Sequence, residues 1–143
     1  MMELNDYSYD EIKIGHTFEF KRRLTDTDVK TFANLTEDKN PLHCDEEYAK
    51  KTKFNGRIVH GMLAGSLFSA LVGMLCPGKR SLYASQTLHF KKPIPIDTEV
   101  TVRGTIKNKV DSLKMVEITT QILVKGNVGV DGEAKVLVME NGG

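Results

Sequence analysis

Met62-Leu63-Ala64-Gly65-Ser66-Leu67-Phe68-Ser69-Ala70-Leu71-Val72-Gly73-Met74-Leu75-Cys76 carries no charged residue and runs unbroken to Pro77-Gly78. It is apolar nearly all round, which predicts a helix covered on most sides. His60-Gly61 opens it and Pro77-Gly78 stops it. The run falls short of the roughly 20 residues that a membrane-spanning helix needs, so no membrane insertion is expected.

Downstream, everything reads as strand. Even positions from Leu82 to Phe90 are mostly apolar, and Val100 and Val102 alternate with Glu99, Thr101 and Arg103. Val116, Ile118, Ile122 and Val124 share one face, as do Ala134, Val136 and Val138. This period of two marks half-buried strands. Lys125-Gly126-Asn127 predicts a hairpin turn between the last two. Upstream, Phe18 to Lys21 alternates like a strand. Thr25 and Asp28 form a helix start, and Val29, Phe32 and Ala33 follow at helical spacing to an end near Thr36. Asn40-Pro41 predicts a loop over Asp38 to His43, since the residue before proline leaves helical space. Asp45-Glu46-Glu47 opens a short helix, and Phe54-Asn55-Gly56 reads as a turn. One strand, then helices, then four strands in succession predicts an α+β fold. Successive strands with short connections are expected to pair antiparallel, and such a sheet would bury one apolar face on the one apolar helix.

A chain of 143 residues with no linker or repeat predicts a single domain over 1–143. The net charge of +1 offers no basic field for nucleic acid. Cys44 and Cys76 form no CxxC unit, so neither a zinc site nor a redox pair is signalled. The acidic first ten residues do not resemble a secretory signal. A cytoplasmic protein is expected.

Three features carry candidate chemistry. In Asp38-Lys39-Asn40-Pro41-Leu42-His43, a turn can bring a carboxylate and an imidazole to one point, an acid–base device around a water. Asn40 can hydrogen-bond the turn or a ligand amide. The same residues also suit a helix end and a plain turn, and spacing alone leaves both readings open. Gly61 starts the apolar helix, where free N–H groups suit a developing oxyanion; equally, His60 could cap the helix and Gly61 permit close packing. Ser66, Ser69 and Gly73 form a small-residue face that either admits a strand or leaves a tunnel.

Together these segments are similar to a known family. Asp38-x-Asn40-Pro41-x-His43, preceded by Phe32 and followed by Ala49, closely resembles the signature of MaoC-like, (R)-specific enoyl-CoA hydratases. Ile58-Val59-His60-Gly61-Met62-Leu63 resembles the opening of that family's central helix, and Ser85-Gln86-x-Leu88-x-Phe90-Lys91-x-Pro93 its strand exit. The resemblance covers roughly Phe18 to Val138 and departs at Glu37, where the family usually has glycine. It implies a hotdog fold, a sheet wrapped around the long helix. It also implies reversible hydration of trans-2-enoyl-CoA to (R)-3-hydroxyacyl-CoA, with Asp38 and His43 as catalytic pair and the Gly61 N–H as oxyanion donor.

On that reading Asn40, Ser66, Ser69 and Val72 are expected to bind substrate, with the acyl chain running along the helix. Lys91 and Lys92 are candidates for the coenzyme A phosphates. No metal or redox cofactor is called for, because coenzyme A is part of the substrate and the thioester is itself the electron sink. A homodimer is expected. The alternatives are an acyl-CoA thioesterase of the same fold and a non-catalytic acyl-CoA-binding subunit. The absence of Asp and Glu from Met62 to Cys76 argues against the thioesterase, which usually carries its acid on that helix.

Overall fold

The structure, a computed structural model, describes residues 2–140. Strand β1 (Thr17–Leu24) leads into helix α1 (Asp26–Thr36), which starts as the sequence predicts. The Thr25 hydroxyl accepts from the Asp28 N–H at 3.2 Å, and the Asp28 carboxylate accepts from the Thr25 N–H at 2.9 Å. This reciprocal pair satisfies orphan donors at the helix start.

Two short helices follow, α2 (Pro41–Cys44) and α3 (Glu46–Lys50), then α4 (Gly61–Ala70). The apolar run continues past α4 as a π turn over Leu71–Leu75. Strands β2 (Ser81–Gln86), β3 (His89–Phe90), β4 (Thr98–Val110), β5 (Met115–Val124) and β6 (Asn127–Val138) complete the chain. All pair antiparallel in the order β1-β4-β5-β6-β2, with β3 also on β6. The β5–β6 hairpin turns at Lys125 and Gly126, whose φ of 51° and 80° give the mirror-image turn that matches strand twist.

The sheet's buried positions (Val100, Val102, Ile106, Val116, Ile118, Ile122, Ala134, Val136) form one core cluster with Ala64, Phe68, Leu71 and Val72 of the apolar segment. Burying Phe68, 1% exposed, contributes about 2–3 kcal/mol. The antiparallel sheet over one apolar helix is thus present. No helix among the described residues is long and apolar enough to cross a membrane.

Three expectations change. The Leu82–Phe90 run is two strands rather than one, broken at Thr87-Leu88, so five strands follow the helix. Its even positions are not the buried face: Leu82 is 51% exposed and Phe90 53%. And β2 pairs with β6, not with its sequence neighbour. Gly132 of β6 explains the break, because a Cβ there would lie 1.8 Å from the Thr87 carbonyl oxygen. The backbone at Thr87 crosses β6 so closely that only glycine fits.

Candidate active site

Asp38 follows α1 through Glu37, whose φ of 68° is left-handed. That conformation is the one glycine adopts at a helix end without strain. Glu37 therefore keeps the glycine geometry at the family's usual glycine position. Three bonds fix Asp38 beyond it. Its N–H donates to the Thr36 hydroxyl at 3.2 Å, and its carbonyl accepts from His60 Nε2 at 3.0 Å. One carboxylate oxygen accepts from the Asn40 N–H at 3.2 Å, leaving the other free.

His43 lies on α2, a helical turn where the sequence predicts a loop. Pro41 sits within the first turn, where its missing N–H costs nothing, and the Asn40 side chain caps the Leu42 N–H at 3.0 Å. The His43 Nδ1 lies 2.8 Å from the Ile58 carbonyl. A carbonyl only accepts, so Nδ1 carries the proton and Nε2 is left with a lone pair. One donor atom from each of Asp38, His43 and His60 lies within 4.8 Å of the others. The His43 and His60 rings stack at 4.0 Å with 27° between planes.

The strip from Arg57 to His60 holds both groups. The Arg57 guanidinium donates to the His43 carbonyl at 2.6 Å and pairs with Asp26 at 2.7 Å. Ile58 holds the His43 ring, and His60 holds the Asp38 backbone. The strip is itself pinned by the Val59 N–H on the Ile94 carbonyl at 2.8 Å and the Ile96 N–H on the Arg57 carbonyl at 3.2 Å.

Residues 10–128 match the family described as MaoC like domain. The chain belongs to this family. The MaoC-like chain is 37% identical to an (R)-specific enoyl-CoA hydratase of Rhodospirillum rubrum, over 94% of the chain and 93% of the relative. It is 34% identical to a 3-hydroxybutyryl-CoA dehydratase of Methylorubrum extorquens, over 95% of the chain and 87% of the relative. The solved structure of an (R)-hydratase from A. caviae involved in PHA biosynthesis superposes with a TM-score of 0.87 at 39% identity, covering 90% of this chain and 98% of that one. The MaoC-like fold is the hotdog arrangement that the motifs imply.

In this MaoC-like chain, His43 and Gly61 line an apolar cavity of about 320 Å³ with Met62, Phe90 and Ile94. Lys91 and Lys92 also line it and are exposed. No side chain caps the N-terminus of α4. A Cβ on Gly61 would lie 2.8 Å from the Phe90 ring, and one on Gly65 3.0 Å from Leu88. The close approach thus falls at Gly61 and Gly65, one helical turn apart, whereas a Cβ on Gly73 would meet nothing.

Ser66 and Ser69 face a separate open groove of about 420 Å³, with Phe32, Met62, Tyr83 and Leu88. Desolvation pushes the Tyr83 phenol up to about 12, so it lines the groove as a neutral donor, bonded to Gln86 at 2.6 Å. Val72 is a correction: it is fully buried in the core cluster and not on this groove. Six residues beyond Ser66, it stands about 120° away from it around the helix axis. Sequence reasoning missed Arg57 and gave His60 only a capping role. The one available signal was a histidine in an otherwise apolar Ile58-Val59-x-Gly61 stretch.

Proposed function

We propose that this chain catalyses the reversible (R)-specific hydration of trans-2-enoyl-CoA. The observation that carries the reading is the convergence of the Asp38 carboxylate and the His43 imidazole beside the cavity that His43 and Gly61 line. Two acceptors are at hand where these groups converge: the Asp38 carboxylate oxygen that Asn40 leaves free and the bare Nε2 of His43. A water there gives one proton to each and turns its lone pair toward C3 of a bound enoyl group. Asp38 takes the proton as the C3–O bond forms. The electron pair of the double bond moves toward the thioester oxygen, where the Gly61 N–H donates to the developing charge. The protonated Asp38 then gives that proton to C2 from the same side, which completes a syn addition, restores the thioester and leaves Asp38 ionised again. Run backwards, the same groups expel water from the hydroxyacyl thioester, in line with the dehydratase name of one relative.

Lys91 and Lys92, exposed at the cavity, supply positive charge for the coenzyme phosphates, and the Asn40 amide nitrogen is free for a ligand carbonyl. The acyl chain follows the groove past Ser66 and Ser69. Met62 and Tyr83 of that groove, with Leu82, are 60%, 37% and 51% exposed, and a second copy of the chain would cover them. A homodimeric cytosolic enzyme fits these features and two cysteines that form no disulfide.

The test is loss of the conjugated enoyl thioester's absorbance over a chain-length series, with chiral analysis of the product. We expect (R)-3-hydroxyacyl-CoA without release of free thiol. Thiol release with no hydroxyacyl product would instead establish a thioesterase.

A further inference from the structure

We infer that His60 is a positioning residue that sets the Asp38 base and the His43 imidazole in register with each other and with the start of α4; this rests on the hydratase reading above. The ring is 2% exposed and touches both groups in different ways. Its Nε2 lies 3.0 Å from the Asp38 carbonyl oxygen, which can only accept, so Nε2 carries a proton and donates it. Its face stacks on His43 at 4.0 Å. Phe32 of α1 packs on the ring at 4.9 Å and restricts its rotation. The backbone of His60 immediately precedes Gly61, the oxyanion donor. One side chain therefore ties together three parts of the site that come from α1's exit, from α2 and from α4.

A purely structural role as helix cap is not what the side chain performs. His60 occupies the cap position of α4, yet makes no side-chain cap bond. Its Nδ1 is buried and has no hydrogen-bond partner. A buried polar atom without a partner destabilises the fold. Phenylalanine would fill the same stacked slot without that cost but could not hold the Asp38 carbonyl. The ring's placement is explained by what it holds.

Two amides separate positioning from capping. The Gln amide nitrogen reaches about as far as ring Nε2, while the Asn amide nitrogen reaches only as far as Nδ1. Asn, however, is among the best helix caps. We expect His60→Gln to keep kcat for crotonyl-CoA hydration within about tenfold of the parent, and His60→Asn and His60→Phe to fall further, to about 10²-fold below it, with KM little changed. A role in capping would reverse the order of Gln and Asn. Circular dichroism and thermal melting establish which variants fold; the Gln–Asn comparison stands even if His60→Phe does not.

Because His60 acts through Asp38, adding His60→Asn to Asp38→Asn is expected to cost little beyond Asp38→Asn alone. Equal or better kcat for Asn than for Gln, a loss confined to KM, or multiplicative losses in the double variant would overturn the proposal. Parent-like rates for the His60 variants beside an inactive Asp38→Asn would overturn it while leaving the hydratase reading intact. A parent-like Asp38→Asn would overturn that reading and the His60 role with it.

Discussion

Glu37→Gly separates backbone strain from charge at the approach to the candidate catalytic loop. Glu37 ends α1 with φ 68° and ψ 10°. A side chain bearing a Cβ pays about 1–2 kcal/mol to hold that left-handed geometry. Glycine relieves this but adds about 0.4–1 kcal/mol of unfolded-state freedom. The net gain is about 0.5–1 kcal/mol, or about 2–4 °C in melting temperature for a chain of this size. Glu37 also places a negative charge at a helix C-terminus, whose removal alone gains about 0.3–1 kcal/mol. Glu37→Ala removes the charge and keeps the Cβ, so it measures that part. We expect Glu37→Gly to melt above Glu37→Ala by about 2–4 °C, and hydration rates to stay within about twofold of the parent, since Thr36 and His60 hold Asp38 on either side. Equal melting temperatures for the two variants, or a lower one for Gly, would refute the strain argument.

Three other outcomes follow from particular contacts. Burial pushes the Asp28 carboxyl up, but the Thr25 N–H and hydroxyl and the Arg22 guanidinium outweigh it and hold it below the usual carboxylate range. The stability Asp28 supplies is therefore present at neutral pH and lost as pH falls below about 4; urea midpoints from neutral to acid should show Asp28→Asn less stable at neutrality and flatter toward acid. Burial pushes the Cys76 thiol up to about 12, while Cys44 is exposed. A chromogenic disulfide at mildly alkaline pH should thus titrate one thiol in the native chain and the second only in denaturant; two fast native thiols would contradict that burial. Ser69→Leu should fill the groove beside α4 and reduce kcat/KM for medium-chain enoyl thioesters at least about tenfold more than for crotonyl-CoA, and an unchanged chain-length profile would move the acyl path elsewhere.

The secondary structure was legible where its causes are local. The Thr25–Asp28 capping pair, the alternation at Val100 and Val102 and the Lys125-Gly126 turn each follow from chemistry within a few residues. Strand order was not, because the pairing of β2 with β6 joins segments far apart in the chain. Leu82 and Phe90 alternate as a buried face should, yet both remain about half exposed among the described residues. The helical turn at His43 was misread because Asn40-Pro41 excludes helix for Asn40 while favouring a helix start at Pro41.

At the candidate site, Asp38 and His43 were legible as a possible pair because both stand on one short motif, and the structure brings them within 4.8 Å. The roles of Arg57 and His60 arise from contacts across 14 and 22 residues, and no local pattern announces them. Val72 was grouped with Ser66 and Ser69 on the small-residue face and the acyl path that the family resemblance implies, but it is buried in the core, off the groove those two serines line.

The most direct measurement of the central claim is crotonyl-CoA hydration by Asp38→Asn and His43→Ala beside the parent, each confirmed as folded by circular dichroism. We expect an active parent and a loss of about 10²-fold or more in kcat for each variant, as when a positioned acid or base is removed. Hydration at the parent rate by either folded variant would contradict the shared-water mechanism.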